Sequence, residues 1–103
     1  MNIFLVKHES STEEDSNFEV IPCIDFDTAA LVMQKHVNDI LHSGKFKGVN
    51  LSKVMKEQDD PDSDCQYRVT MRPDYFLIET LYGDFSEEIS IEESKLVVEE
   101  EFK

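Results

Sequence analysis

From Cys65 onward the chain alternates apolar and polar side chains through three successive runs, and this repetition constrains the fold more than any other feature. Cys65, Tyr67, Val69 and Met71 alternate with Gln66, Arg68, Thr70 and Arg72. Successive side chains of a strand point to opposite faces, so the run predicts a half-buried strand. Pro73-Asp74 ends it, Tyr75 to Tyr82 forms a second run, Gly83-Asp84 marks a turn, and Phe85 to Glu92 is a third run with Ile89 and Ile91 on one side. Two-residue turns at both places set Val69 opposite Ile78 and Ile78 opposite Ile89, with Met71 beside Phe76 and Phe76 beside Ile91. On the other face they set Arg68 opposite Glu79, Glu79 opposite Glu88, and Arg72 level with Tyr75 and Glu92. A slip of one residue would bury these charges, so burial and charge specify the same pairing. Pro73 holds a negative φ unsuited to the primed turns of tight hairpins, which leaves room for a longer loop there.

Ile3 to His8 is apolar on both faces, as in a central strand. Glu9 to Asn17 is polar throughout and predicts a flexible loop. In the next strand Phe18, Val20, Ile24 and Phe26 form the apolar face, with Pro22 in their register. Proline cannot donate to a ladder, so this strand belongs at an edge or bulges. The period then changes to 3.6. Ala29, Ala30, Met33, Val37, Ile40 and Leu41 predict a helix over 28–43, capped by Asp27 or Thr28 and stopped by Gly44. A shorter helix over Leu51–Gln58 places Leu51, Val54 and Met55 on one side, and Asp59 to Asp64 reads as an acidic loop. Leu96, Val97 and Val98 predict a sixth strand, with a short helix over Lys95 to Phe102 as the alternative. The fold class is therefore α+β, a single domain over 1–103 in the order β-β-α-(α)-β-β-β. Its sheet is mostly antiparallel, of five or six strands, with one main helix packed on one face.

With 103 residues the chain is too short for a dinucleotide-binding fold or a barrel, which need about 150–250. Its 23 acidic and 10 basic residues give a net charge of −13. Phosphate contacts need Lys and Arg, so direct binding to nucleic acid or anionic lipid is disfavoured. Lys35, Lys45, Lys47, Lys53 and Lys56 form a basic island, expected to be a solvated helix face; a docking patch for an acidic partner is the alternative. Ile3 to Val6 is shorter than the apolar core of a signal peptide, about 7–15 residues, and no run approaches the roughly 20 of a membrane span. Two cysteines, Cys23 and Cys65, are too few for a disulfide scaffold. These features predict a cytoplasmic protein with two buried thiols. In charge and size the chain resembles small acidic accessory proteins of bacteria and phages, including immunity proteins and nucleic-acid mimics; no motif carries that resemblance.

Local motifs for chemistry are incomplete. Asp60, Asp62 and Asp64 have the spacing that opens a calcium loop, but the required Gly is Cys65 and the required Glu is Met71. Asp25-Phe26-Asp27-Thr28 is superficially similar to the aspartyl-phosphate phosphatases, yet Thr28 stands one position early and helix capping explains these residues. His8, His36 and His42 include no pair at ligand spacing. Cys23 with His36, or Cys65 with His8, could pair only through the fold. Three glycines and no serine-nucleophile elbow leave no phosphate loop or hydrolase motif. The expectation is no catalytic residue, no cofactor and no metal site, with a small metal-dependent or cysteine/histidine-dependent enzyme as the alternative.

The outward face of the sheet has more functional content. Tyr75, Leu77 and Leu81 point away from a core side formed by Phe76, Ile78 and Tyr82, and are covered either by Leu96, Val98 and Phe102 or by a partner. Arg68 is placed to bridge Glu79 and Glu88. The candidate interaction surface is therefore Arg68, Arg72, Tyr75, Leu77, Glu79, Leu81 and Glu88. The expected function is non-catalytic binding to a protein with a basic surface, of the inhibitor or nucleic-acid-mimic type, with a homodimeric structural protein as a further alternative.

Overall fold

A computed structural model describes residues 2–62 and 65–95. The elements are β1 (Asn2–Ser11), β2 (Ser16–Cys23), α1 (Phe26–His42), a 3-10 turn (Gly44–Phe46), α2 (Leu51–Glu57), β3 (Tyr67–Arg72), β4 (Tyr75–Thr80) and β5 (Ser86–Lys95). The strands form one sheet in the order β2-β1-β5-β4-β3. Every neighbouring pair is antiparallel. The α+β class and the antiparallel sheet read from the sequence are those of the molecule. No helix among the described residues is long and apolar enough to cross a membrane.

Alternation along the strands gives the sheet two different faces. One carries Val6, Val69, Phe76, Ile78 and Ile89, which join Ala29, Met33, Val37 and Ile40 of α1, Phe46 and Val54 in a single core. The buried residues of α1 recur at spacings of three and four, which is why this amphipathic segment lies flat on β1 and β5. β1 is interior, as its two-sided apolar pattern requires, and β2 with Pro22 is an edge.

Several boundaries differ from the sequence expectation. The stretch read as a loop over Glu9–Asn17 is mostly ladder: β1 runs to Ser11 and β2 starts at Ser16. Only residues 12–15 turn, closed by Thr12 and Asp15. In β2 the faces are reversed, because Phe4 and Val6 draw Cys23 and Ile21 to the core side. Phe18 is therefore 63% exposed, and Ile24, beyond the strand, is 78% exposed. α1 starts at Phe26 and its N-cap is Asp25, whose carboxylate accepts from the Thr28 amide. This bond holds the Asp25 carboxyl below its ordinary value, and it displaces Asp27 and Thr28 from the capping role.

The hairpin of β3 and β4 has the expected two-residue turn, with Val69 opposite Ile78 and Arg68 opposite Glu79. Neither Pro73 nor Asp74 has a positive φ, so the turn avoids the primed types that proline forbids. The β4–β5 connection is longer than expected. β4 stops at Thr80, Gly83 adopts φ +75, and the Thr80 amide donates to the Phe85 carbonyl. The register consequently moves by two residues: Phe76 lies opposite Ile89, Ile78 opposite Glu87, Leu77 opposite Glu88 and Glu79 opposite Ser86. A two-residue slip keeps every side chain on its own face, so the core survives it. Tyr82, expected in the core, is 84% exposed, and Leu81 leaves the strand with it. The expected sixth strand and the covering residues Leu96, Val98 and Phe102 lie outside the described residues.

Candidate functional site

Six of the seven expected interaction residues, Arg68, Arg72, Tyr75, Leu77, Glu79 and Glu88, share the sheet face opposite the core; Leu81 does not join them. Register aligns this open face in rows across all five strands. The central row reads Phe18, Glu9, Glu88, Leu77, Thr70, and its neighbour reads Val20, Lys7, Ser90, Tyr75, Arg72. Glu9 and Glu88 are thus directly opposed, with Phe18 and Leu77 on either side. Opposed like charges on neighbouring strands are unfavourable. Among the described residues Glu9 has no hydrogen-bond or ion-pair partner, and Glu88 has the Tyr75 hydroxyl, which donates to Oε2 at 2.6 Å.

Two cations of this face are engaged elsewhere: Lys7 pairs with Glu92, and the Arg72 guanidinium lies 4.9 Å from the centre of the Tyr75 ring. Arg68 stands opposite Glu79 in the register, outside the row of Glu9 and Glu88. The two-residue slip separates Glu79 from Glu88, so Arg68 does not bridge them; the opposed carboxylates are Glu9 and Glu88 instead.

The Tyr75 hydroxyl is pushed up to about 12, first by its bond to the Glu88 carboxylate and then by burial. The unfolded phenol ionises near 10.0, so the bond contributes fully below that pH and is lost as pH rises toward about 12. Tyr75→Phe is expected to lower stability by about 1 kcal/mol at neutral pH. Urea melts from neutral to strongly alkaline pH should show this difference vanishing across the phenol window; a constant difference would show that the bond does not govern it.

A second cluster forms on the core side, where β1, β2, β5 and α1 meet. His8 follows Phe4 and Val6 on the inward face of β1, and the ladder sets it opposite Glu19 of β2. His36 lies on α1 between Met33 and Val37. Their Nδ1 atoms are 2.8 Å apart and the rings meet edge to face. His8 Nε2 lies 2.6 Å from Glu87 Oε2, and the Ser10 hydroxyl donates to that same carboxylate oxygen. The carboxylate can only accept when ionised, so it selects the Nε2–H tautomer of His8. The His8 Nδ1 lone pair then faces His36. One ligand atom from each of His8, Glu19 and His36 lies within 4.8 Å of the other two. His8 and Glu87 side chains are 15% and 22% exposed, and clefts on two sides of His8 give solvent access.

No protein-family model, curated protein or solved structure matches the chain. The site must therefore be read from its own geometry.

The histidines are 28 residues apart, so no local spacing could reveal the pair; its signal was that His8 continues the inward series of β1. Neither of the cysteine–histidine pairings that only the fold could create is formed. Cys23 Sγ donates to the Ile21 carbonyl and Cys65 Sγ to the Tyr67 carbonyl, and both thiols are free. Burial and the nearby Asp25 raise the Cys23 thiol, which opposes thiolate chemistry. His42 donates to the Asn38 carbonyl at its helix end. In the acidic loop Asp60 accepts from the Asp62 amide, while Asp64 lies outside the described residues. Lys35, Lys45, Lys47, Lys53 and Lys56 are all exposed. Lys45 covers the Phe85 ring and Lys53 approaches Glu57.

Proposed function

We propose that this protein is a non-catalytic binding module whose open sheet face receives a Lys or Arg side chain presented by a cytoplasmic partner protein. The observation that carries this reading is the opposed pair Glu9 and Glu88, set in a row between Phe18 and Leu77 without a cation of its own. A basic side chain inserted there would relieve the carboxylate repulsion, while its aliphatic stem would lie against the flanking apolar groups. Exposed Phe18 and Val20 extend the apolar area. A net charge of −13 adds long-range attraction for a basic surface and speeds encounter at low salt. Free thiols accord with a reducing compartment.

The test uses two baits, wild type and the double variant Glu9→Gln, Glu88→Gln, in capture from host lysate and in NMR titration with a lysine- and arginine-containing peptide. The amide oxygen that Glu88→Gln introduces can still accept from the Tyr75 hydroxyl, so the weakening of that bond is offset by relief of the like-charge pair. Stability is expected to stay within about 1 kcal/mol of wild type, checked by a urea melt of the double variant. Any loss of binding is then separate from loss of fold. The expected result is a protein held by wild type at low salt, released as salt rises, and not held by the double variant. Peptide-induced shifts should centre on Glu9, Phe18, Leu77 and Glu88. Equal capture by both baits, or shifts centred elsewhere, would refute the reading.

A further inference from the structure

We infer that His8, His36 and Glu19 form a binding site for a single divalent transition-metal ion of the zinc type, with Glu87 as the outer partner that orients His8. The site lies on the core side of the sheet and is independent of the open face. Three observations support it. First, the donors come from three elements, β1, α1 and β2, and one ligand atom from each lies within 4.8 Å of the other two. Ligand atoms of a tetrahedral ion, bound at about 2.0–2.2 Å, are separated by a little over 3 Å. The Nδ1 atoms at 2.8 Å need to part slightly and the Glu19 carboxylate needs to move inward. Glu19 is exposed on an edge strand and His36 is half-buried, so both have freedom to move.

Second, the hydrogen bonding prepares His8 as a ligand. Glu87 Oε2 accepts from Nε2 at 2.6 Å, and Ser10 anchors the same carboxylate. A carboxylate on the far nitrogen fixes the tautomer and increases the basicity of the ligating nitrogen, the arrangement that metal-bound histidines commonly show. The His8 Nδ1 lone pair is left facing His36 Nδ1. Without a metal, a proton on His36 Nδ1 bridges the two rings. With a metal, that proton moves to His36 Nε2, both Nδ1 lone pairs bind the ion, and the proton count of the pair is unchanged.

Third, the donor set discriminates among ions. Two imidazoles with one carboxylate suit zinc, cobalt, nickel or copper, whereas magnesium and calcium prefer all-oxygen sets. Clefts lined by His8 and Glu19 on one side, and by His8, Asp39 and Glu87 on the other, leave the ion a path in and room for water as a fourth ligand.

The test uses untagged full-length protein freed of metal with a chelator. Zinc affinity is measured by competition with a chromophoric chelator, with magnesium and calcium as controls, and cobalt is added as a spectroscopic probe. The expected result is one zinc per chain, a raised melting temperature with zinc alone, and a cobalt visible spectrum lacking the thiolate charge-transfer band that Cys23 or Cys65 would produce. Glu87→Gln should weaken zinc binding by about 10–100-fold, the range for outer partners. His36→Ala and Glu19→Gln, at a half-buried and an exposed position, should weaken it at least as much while keeping the metal-free melting temperature near that of wild type. Absence of stoichiometric zinc uptake, equal uptake by the ligand variants, or a thiolate band with cobalt would each overturn the site.

Discussion

Replacing Phe76 with alanine is expected to destabilise the protein by about 3–5 kcal/mol, the range for removing a buried aromatic ring. Phe76 is fully buried on β4, directly opposite Met71 of β3 and Ile89 of β5. The helices lie over this face, with Val37, Ile40 and Val54 in the same core. Backbone ladders on both sides hold β4 at fixed spacing, so the sheet cannot collapse into the space the ring leaves. The cavity term is therefore retained on top of the lost transfer energy. A domain of this size has about 5–15 kcal/mol in total, so the variant should melt tens of degrees lower or fail to fold at 37 °C. Phe18 supplies the control: it lies in the same sheet but on the open face and is 63% exposed, so Phe18→Ala should change stability by no more than about 0.5 kcal/mol. Urea melts of both variants decide the matter. Equal losses would mean that the two faces are not distinguished as described.

That contrast also marks how far alternation can be read without a structure. β3, β4 and β5 alternate cleanly, so their inward sets were legible, and the two-residue error in pairing β4 with β5 left those sets intact. What escaped was loop length: Gly83 reads as one position of a tight turn, but its positive φ serves a longer connection closed through Thr80 and Phe85. β2 has apolar residues in both registers, so alternation alone could not choose between Phe18 with Val20 and Ile21 with Cys23. The choice is tertiary and is made by Phe4 and Val6 on the neighbouring strand. The open face was legible through Arg68, Tyr75, Leu77 and Glu88, which lie in the three well-patterned strands β3, β4 and β5. Glu9 was not, because it lay in a polar stretch that reads as loop, although the ladder continues through it. The same stretch hid Ser10 from the histidine cluster, and the reversed reading of the faces of β2 hid Glu19.

Gln58→Ala is expected to cost about 2–3 kcal/mol, an unusually large effect for a half-buried polar residue at the end of a short helix. β3 is an edge strand, and the outward amide and carbonyl of Val69 have no neighbouring strand to pair with. Gln58 supplies what a strand would: its Oε1 accepts from the Val69 amide at 2.8 Å and its Nε2 donates to the Val69 carbonyl at 2.9 Å. The adjoining outward carbonyl, that of Tyr67, accepts from the Cys65 thiol. Two hydrogen bonds at about 1 kcal/mol each, plus the penalty for leaving a buried residue's backbone polar groups unpaired, give the expected loss. Gln58 also terminates α2, donating its amide to the Val54 carbonyl. The side-chain contact thus fastens the end of α2, four residues from core Val54, to the sheet edge. Removing it opens β3 as a template for edge-to-edge association. Two measurements separate this role from a simple loss of helix stability. Hydrogen exchange should show the Val69 amide becoming rapidly exchanging in the variant, while β4-paired amides of β3 stay protected. Light scattering should show concentration-dependent association that wild type lacks. Gln58→Glu sharpens the test: its carboxylate can accept from the Val69 amide but cannot donate to the carbonyl. It should retain part of the amide protection and lose the remaining stability. If Val69 exchanges slowly in all three proteins, Gln58 is not what protects the edge.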